Sequence, residues 1–217
     1  MENVNKTSIL FDLDGTLIDS LPDIGGTLNL LRVRHGLPIL PISGIRVFIG
    51  KGVEFLIEGC FKELGPSAVS PLVEEYRTLY ADNPHMGGAL FPGVLETLTK
   101  LRRNPNVLLG IVTNKPSYVV GKTLDVYLPG FHFDEIAGPE DVTEKKPSPL
   151  HILEVLDRIG GSPENTWYIG DDPVDFECAQ AAKVRFLGAT YGIGNVEVPE
   201  AMRLRCFAEL LEKIKLP

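Results

Sequence analysis

A chain of 217 residues is long enough for one sizeable core, or for a core with a small accessory unit. Apolar residues make up 44% and charged residues 23%, a balance ordinary for a soluble globular protein. The net charge is −8 with scattered basic residues, which argues against a nucleic-acid partner because phosphate backbones need a positive stripe.

No apolar run approaches the roughly 20 residues that span a bilayer. The opening Met1-Glu2-Asn3-Val4-Asn5-Lys6 lacks the layout of a secretory signal. Cys60, Cys178 and Cys206 are odd in number and show no ligand spacing, so a reduced, cytoplasmic chain is expected.

In chain order, residues 8–13 read as a short apolar strand running into Asp12-Leu13-Asp14-Gly15-Thr16. Residues at i and i+2 leaving a strand project to one side, so Asp12 and Asp14 are expected to share a space. Two acids that close repel unless a cation sits between them or one keeps its proton. Residues 19–88 then show no convincing strand but carry helical patterns over 22–35, 52–64 and 67–82. The segment is too long for a plain loop and reads as a helical insert, with Asn83-Pro84-His85-Met86-Gly87-Gly88 as its return hinge.

Beyond the insert, helices are predicted over 94–103, 117–127, 149–160 and from 201 onward, and strands over 107–113, 166–170 and 184–189. None of the strands alternates apolar with polar, the mark of strands buried on both faces of a parallel sheet. The expected fold is therefore α/β: a doubly wound, mainly parallel sheet with a Rossmann-like core, bearing an inserted small helical cap domain. The core would comprise residues 1–18 and 88–217, the cap residues 19–87. In such folds function gathers at the carboxyl ends of the strands.

Each buried run ends in polar residues. After the first come Asp12, Asp14 and Thr16; after the second, Thr113-Asn114-Lys115-Pro116 before a helix start suited to an anion. The loop Thr143-Glu144-Lys145-Lys146-Pro147-Ser148-Pro149 adds lysines, and Gly170-Asp171-Asp172-Pro173-Val174-Asp175 adds three acids. Carboxylates for a hard cation, with hydroxyl, amide and lysine for an anion, point to Mg²⁺ and a phosphate.

The run Asp12 to Ser20 resembles the first motif of the haloacid dehalogenase-like hydrolase superfamily. Thr113 resembles its second motif, Lys146-Pro147-Ser148-Pro149 its third and Gly170 to Asp175 its fourth. Within that superfamily the chain is most similar to phosphoglycolate phosphatase-like members, through Leu21-Pro22-Asp23-Ile24, Phe48-Ile49-Gly50-Lys51-Gly52 and Thr190-Tyr191-Gly192.

The resemblance implies a Mg²⁺-dependent phosphatase of a small phosphorylated metabolite, phosphoglycolate being favoured, as a monomer or homodimer. It implies Asp12 as nucleophile and Asp14 as general acid and base. The metal would be held by Asp12, Asp171 and the backbone carbonyl of Asp14, with Asp172 and Asp175 in support. Gly15, Thr113, Asn114 and Lys146 would bind phosphate, and the cap residues Arg46 and Lys51 would meet substrate. Asp172 departs from the small hydroxyl residue that relatives often carry, and either joins the metal's surroundings or caps a helix. The alternatives are a β-phosphoglucomutase-type mutase, a pyrophosphatase, a phosphonatase using Lys51 as a Schiff base, and a phospho-receiver module. The receiver fold has no helical insert.

Overall fold

The computed structural model describes residues 6–216. The opening residues 1–5, read above for a secretory signal, lie outside them. The first strand, β1 (Thr7–Phe11), ends four positions before Gly15 at the tight turn and is followed by β2 (Ile18–Asp19). Four helices come next: α1 (Leu21–Arg34), α2 (Ile42–Ile45), α3 (Val53–Cys60) and α4 (Val69–Asp82). Strand β3 (Ala89–Leu90) pairs antiparallel with β2, so the entry and exit of this helical stretch lie side by side.

The rest alternates helix and strand. It runs α5 (Val94–Arg102), β4 (Val107–Val112), α6 (Ser117–Tyr127), β5 (Glu135–Ala137), α7 (Leu150–Ile159) and β6 (Thr166–Gly170). It closes with α8 (Pro173–Ala182), β7 (Arg185–Ala189), β8 (Arg203–Leu204) and α9 (Leu210–Lys213). The main sheet has six strands in the order β5-β4-β1-β6-β7-β8, and its pairings are all parallel. Chain order reverses at β1: the path leaves toward β4 and β5 and returns on the other side as β6. Such a switch point opens a crevice at the carboxyl end of the strand, where Asp12 lies.

Side-chain alternation along β1 feeds two cores. Ile9 and Phe11 pack with Leu98, Ile111 and Phe207 on one face, while Leu10 packs with Ile152, Val155 and Phe186 on the other. All six residues of β4 are buried, which is why no alternation marks it in the sequence. A third cluster joins Leu28 and Leu31 of α1, Leu56 of α3 and Tyr76 and Tyr80 of α4 to Val119 of α6. The helical stretch thus has its own apolar interior, seated on one core helix.

Some elements differ from expectation. The helix predicted from residue 201 is instead a 3-10 turn, strand β8, a second 3-10 turn (Phe207–Glu209) and the short α9. Leu204 pairs with Ala189 and extends the sheet, while Phe207, Leu210 and Ile214 keep a helix-like spacing into the core. Strand β5 went unpredicted because three residues carry too little pattern. Strand β7 starts at Arg185 rather than 184 because Lys183 ends α8 in the left-handed conformation (φ 59°). The short α2 and the 3-10 turn Arg46–Phe48 were also unpredicted.

Candidate active site

The strand ends bring the polar residues together. The Lys146 ammonium lies 2.7 Å from Asp12 Oδ1 and 2.7 Å from Asp175 Oδ1, and 3.0 Å from the Tyr168 hydroxyl. That hydroxyl sits 2.9 Å from Asp175 Oδ1. The other oxygen of Asp175 accepts the backbone N–H groups of Asp171 and Asp172. Asp175 is therefore a bracket between the fourth strand-end loop and the lysine. Lys145, next to Lys146, is exposed.

Asp171 accepts from Thr16 Oγ1 at 3.1 Å and from the Gly194 N–H at 2.6 Å. Gly15 holds φ +86° against it, and a Cβ there would stand 2.0 Å from Asp171 Oδ2. Only glycine fits this approach. Asp172 accepts from the Val174 N–H at 2.9 Å and forms a capping box with Asp175, so it acts as the N-cap of α8.

Carboxylate oxygens of Asp12, Asp171 and Asp175 lie within 4.8 Å of one another, all buried. Burial pushes the Asp12 carboxyl up to about 7 against the opposing pull of Lys146. Burial, then the neighbouring Asp12 and Asp175, drive Asp171 well above the usual carboxylate range. For Lys146, burial favours loss of the proton, but the two adjacent carboxylates prevail and raise it. One lysine thus faces three buried acids. Hard oxygen donors with a deficit of positive charge are the donor set that fits a divalent cation such as Mg²⁺.

Thr113 is buried, and its hydroxyl oxygen accepts the Lys115 N–H at 3.1 Å. Asn114 lies beside it, but its amide nitrogen is engaged by the carbonyls of Gly50 and Lys146, each at 3.1 Å. Its Oδ1 is buried with no partner among the described residues. Arg46 turns its guanidinium onto the backbone carbonyls of Ile193 and Gly194, joining the helical stretch to the loop after β7. Lys51 is exposed, with its ammonium 4.9 Å from the Phe55 ring centre.

Two residues were not singled out from the sequence. Lys115 is buried and lies 3.0 and 3.2 Å from the two oxygens of Asp14, with the Tyr80 hydroxyl 3.0 Å away. Its place directly after Thr113-Asn114 was the available signal. His151, in the helix predicted over 149–160, is fully buried. Its Nδ1 lies 3.3 Å from the Lys146 N–H and its Nε2 3.1 Å from the Ala137 carbonyl. It ties the lysine loop to the end of β5.

A cleft of about 830 Å³, open mouth included, takes in Asp12, Asp14, Thr113, Asn114, Lys115, Lys146, Asp171, Asp172 and Asp175. Gly50 and Arg46 reach it from the helical side, whereas Lys51 is not among its walls.

The family model for haloacid dehalogenase-like hydrolases matches residues 9–189. Phosphoglycolate phosphatase of Yersinia pseudotuberculosis is 33% identical over 96% of this chain and 93% of its own length. That of Pectobacterium atrosepticum is 34% identical, over 95% and 91%. A crystal structure described as "a predicted phosphoglycolate phosphatase" from Haemophilus somnus superposes with a TM-score of 0.86 at 27% identity, covering 98% of this chain and 99% of that one.

Proposed function

This chain belongs to the haloacid dehalogenase-like hydrolases and is a phosphatase; from that premise we propose that it hydrolyses a small phosphate monoester through a phospho-aspartate on Asp12, with Mg²⁺ as cofactor. The single observation that supports this most is Asp12 itself: a buried acid at the switch point of the sheet, 2.7 Å from a lysine and clustered with two further acids. Phosphoglycolate is the substrate suggested by the names of the relatives. In this reading the protein works in the cytoplasm, as a monomer or homodimer.

An Asp12 carboxylate oxygen forms a bond to phosphorus as the bond from phosphorus to the alcohol oxygen breaks. Asp14 gives its proton to that leaving oxygen, then takes one from the water that attacks the phospho-aspartate. Inorganic phosphate leaves and Asp12 is regenerated. Lys115 fixes the position of Asp14. Thr113 and Lys146 hold the phosphoryl oxygens, while Asn114 secures the loops around them. Bound Mg²⁺ would be held by Asp12, Asp171 and the Asp14 carbonyl, backed by Asp175, and supplies the positive charge that phosphoryl transfer demands. Residues 19–87 act as a cap that closes on the core and excludes bulk water.

The test is inorganic phosphate release from a panel of phosphate esters with Mg²⁺. Release that a chelator abolishes and added Mg²⁺ restores is the expected result. Isomerisation of sugar phosphates without net release would identify a mutase instead.

A further inference from the structure

The two ends of the cleft differ in chemistry. Its floor is the charged cluster at the strand ends; its other end is built by Ile24, Leu56, Tyr76, Tyr80, Tyr118 and Val119. Five of these six are buried, and Tyr118 stands at the lip, 44% exposed. The Tyr76 and Tyr80 rings pack with centroids 5.8 Å apart. Lys115 marks the border, paired to Asp14 on one side and 4.3 Å from the Tyr80 ring centre on the other.

The proton donor for the leaving oxygen is therefore next to the residue that abuts the aromatic end. An alcohol leaving past Asp14 would place its carbon skeleton against Tyr80 and its neighbours. The cations at this end are engaged at their terminal nitrogens, while Arg77 Nε is buried with no partner among the described residues. Arg77 is paired with Glu54 at 3.1 Å and Glu74 at 3.0 Å, Lys115 with Asp14, and Arg46 holds backbone carbonyls. A two-carbon acid such as glycolate would fill little of the apolar wall and would find one unengaged guanidinium N–H, Arg77 Nε, rather than a free cation.

We propose that the cap side of the cleft selects phosphate monoesters of uncharged alcohols that carry an apolar ring, in preference to phosphoglycolate. This inference rests on the phosphatase reading above. An apolar pocket that fixes one end of a ligand beside a few placed polar groups is the usual architecture of small-molecule specificity. Burying the ring's carbons yields a gain that grows with the area removed from water.

The experiment compares kcat/KM for benzyl phosphate, ethyl phosphate and 2-phosphoglycolate with Mg²⁺ present. Benzyl phosphate is expected to exceed each of the others at least tenfold, equivalent to about 1.4 kcal/mol. Tyr118→Ala, at the exposed lip, should lower the benzyl-to-ethyl ratio about fivefold or more; Leu56→Ala should lower it too, as an independent variant of the inner wall. A kcat/KM for 2-phosphoglycolate equal to or above that of benzyl phosphate would overturn the inference while leaving the phosphatase reading intact. If no ester releases phosphate, that reading fails. The pocket is then judged by calorimetry on the Mg²⁺-loaded protein: tighter binding of benzylphosphonate than of ethylphosphonate supports it, and equal or weaker binding overturns it.

Discussion

The floor and the roof of the cleft are built on opposite principles. On the floor, charged groups hold one another: Lys146 spans Asp12 and Asp175, and Asp175 in turn gathers the N–H groups of the next loop. Each of these buried charges is costly alone and persists because its partners are in place. On the roof, apolar and aromatic side chains of a separate cluster form a wall with few polar demands. A floor of this kind tolerates almost no substitution, while a roof of this kind can be reshaped without loss of the reaction. In the proposed reading, chemistry and selectivity are thereby separated in space.

The sharpest way to break the comparison is at Asp12. Asp12→Asn keeps the shape but removes the proposed nucleophile, and kcat should fall by roughly 10³-fold or more, with the circular dichroism spectrum unchanged. Retained phosphate release would end the assignment of the floor. Lys115→Met tests the border. Losing the ammonium leaves Asp14 without its partner, so kcat should fall about 10- to 100-fold, less than the ~10²–10⁴-fold of an acid–base group itself. A change in KM alone would make Lys115 part of the roof.

Arg46→Ala tests the tie between roof and floor. Its guanidinium bonds to carbonyls of the loop after β7, and hydrogen bonds from charged groups contribute ~1.5–3 kcal/mol. KM should therefore rise about tenfold with kcat less affected, as read from steady-state kinetics.

The smallest effect near neutrality concerns His151, whose burial holds it at about 4, below the ordinary 6.5. A depressed folded value means that the unfolded chain binds the proton first. Stability is then fully present above about 6.5 and declines as pH falls toward 4, by about 3 kcal/mol in all. Because the raised carboxyls of Asp12 and Asp171 gain stability as pH falls, the His151 contribution is read as the difference between wild type and His151→Asn. Urea midpoints should show the wild type losing more stability than the variant between pH 7.5 and 4.5, and equal changes would overturn it.

Much of the floor was legible because its residues sit where apolar runs stop. Asp12, Thr113 and Asp171 each follow a strand directly, and strand ends in a parallel α/β sheet converge on one edge. Lys146 was legible only in company with them. Lys115 was in plain view in the same run and was passed over, since adjacency in sequence does not say which of two neighbours turns inward. Asn114 was expected at phosphate, and its amide nitrogen instead meets the Gly50 and Lys146 carbonyls, contacts between residues 32 and 64 positions apart. For Asp172 the sequence left ligand and helix cap open, and the capping geometry of α8 decided for the cap.

By itself the sequence determined the α/β alternation, the helical stretch between the first two long strands and the acids at the strand ends. These follow from local periodicity and from motifs within a few residues of one another. Only the tertiary structure decided that β8 joins the sheet, that His151 is buried, and that Lys115 stands between the charged floor and an aromatic roof. Each of those depends on groups far apart in the chain meeting at atomic distance, and burial and pairing energies exist only once they do.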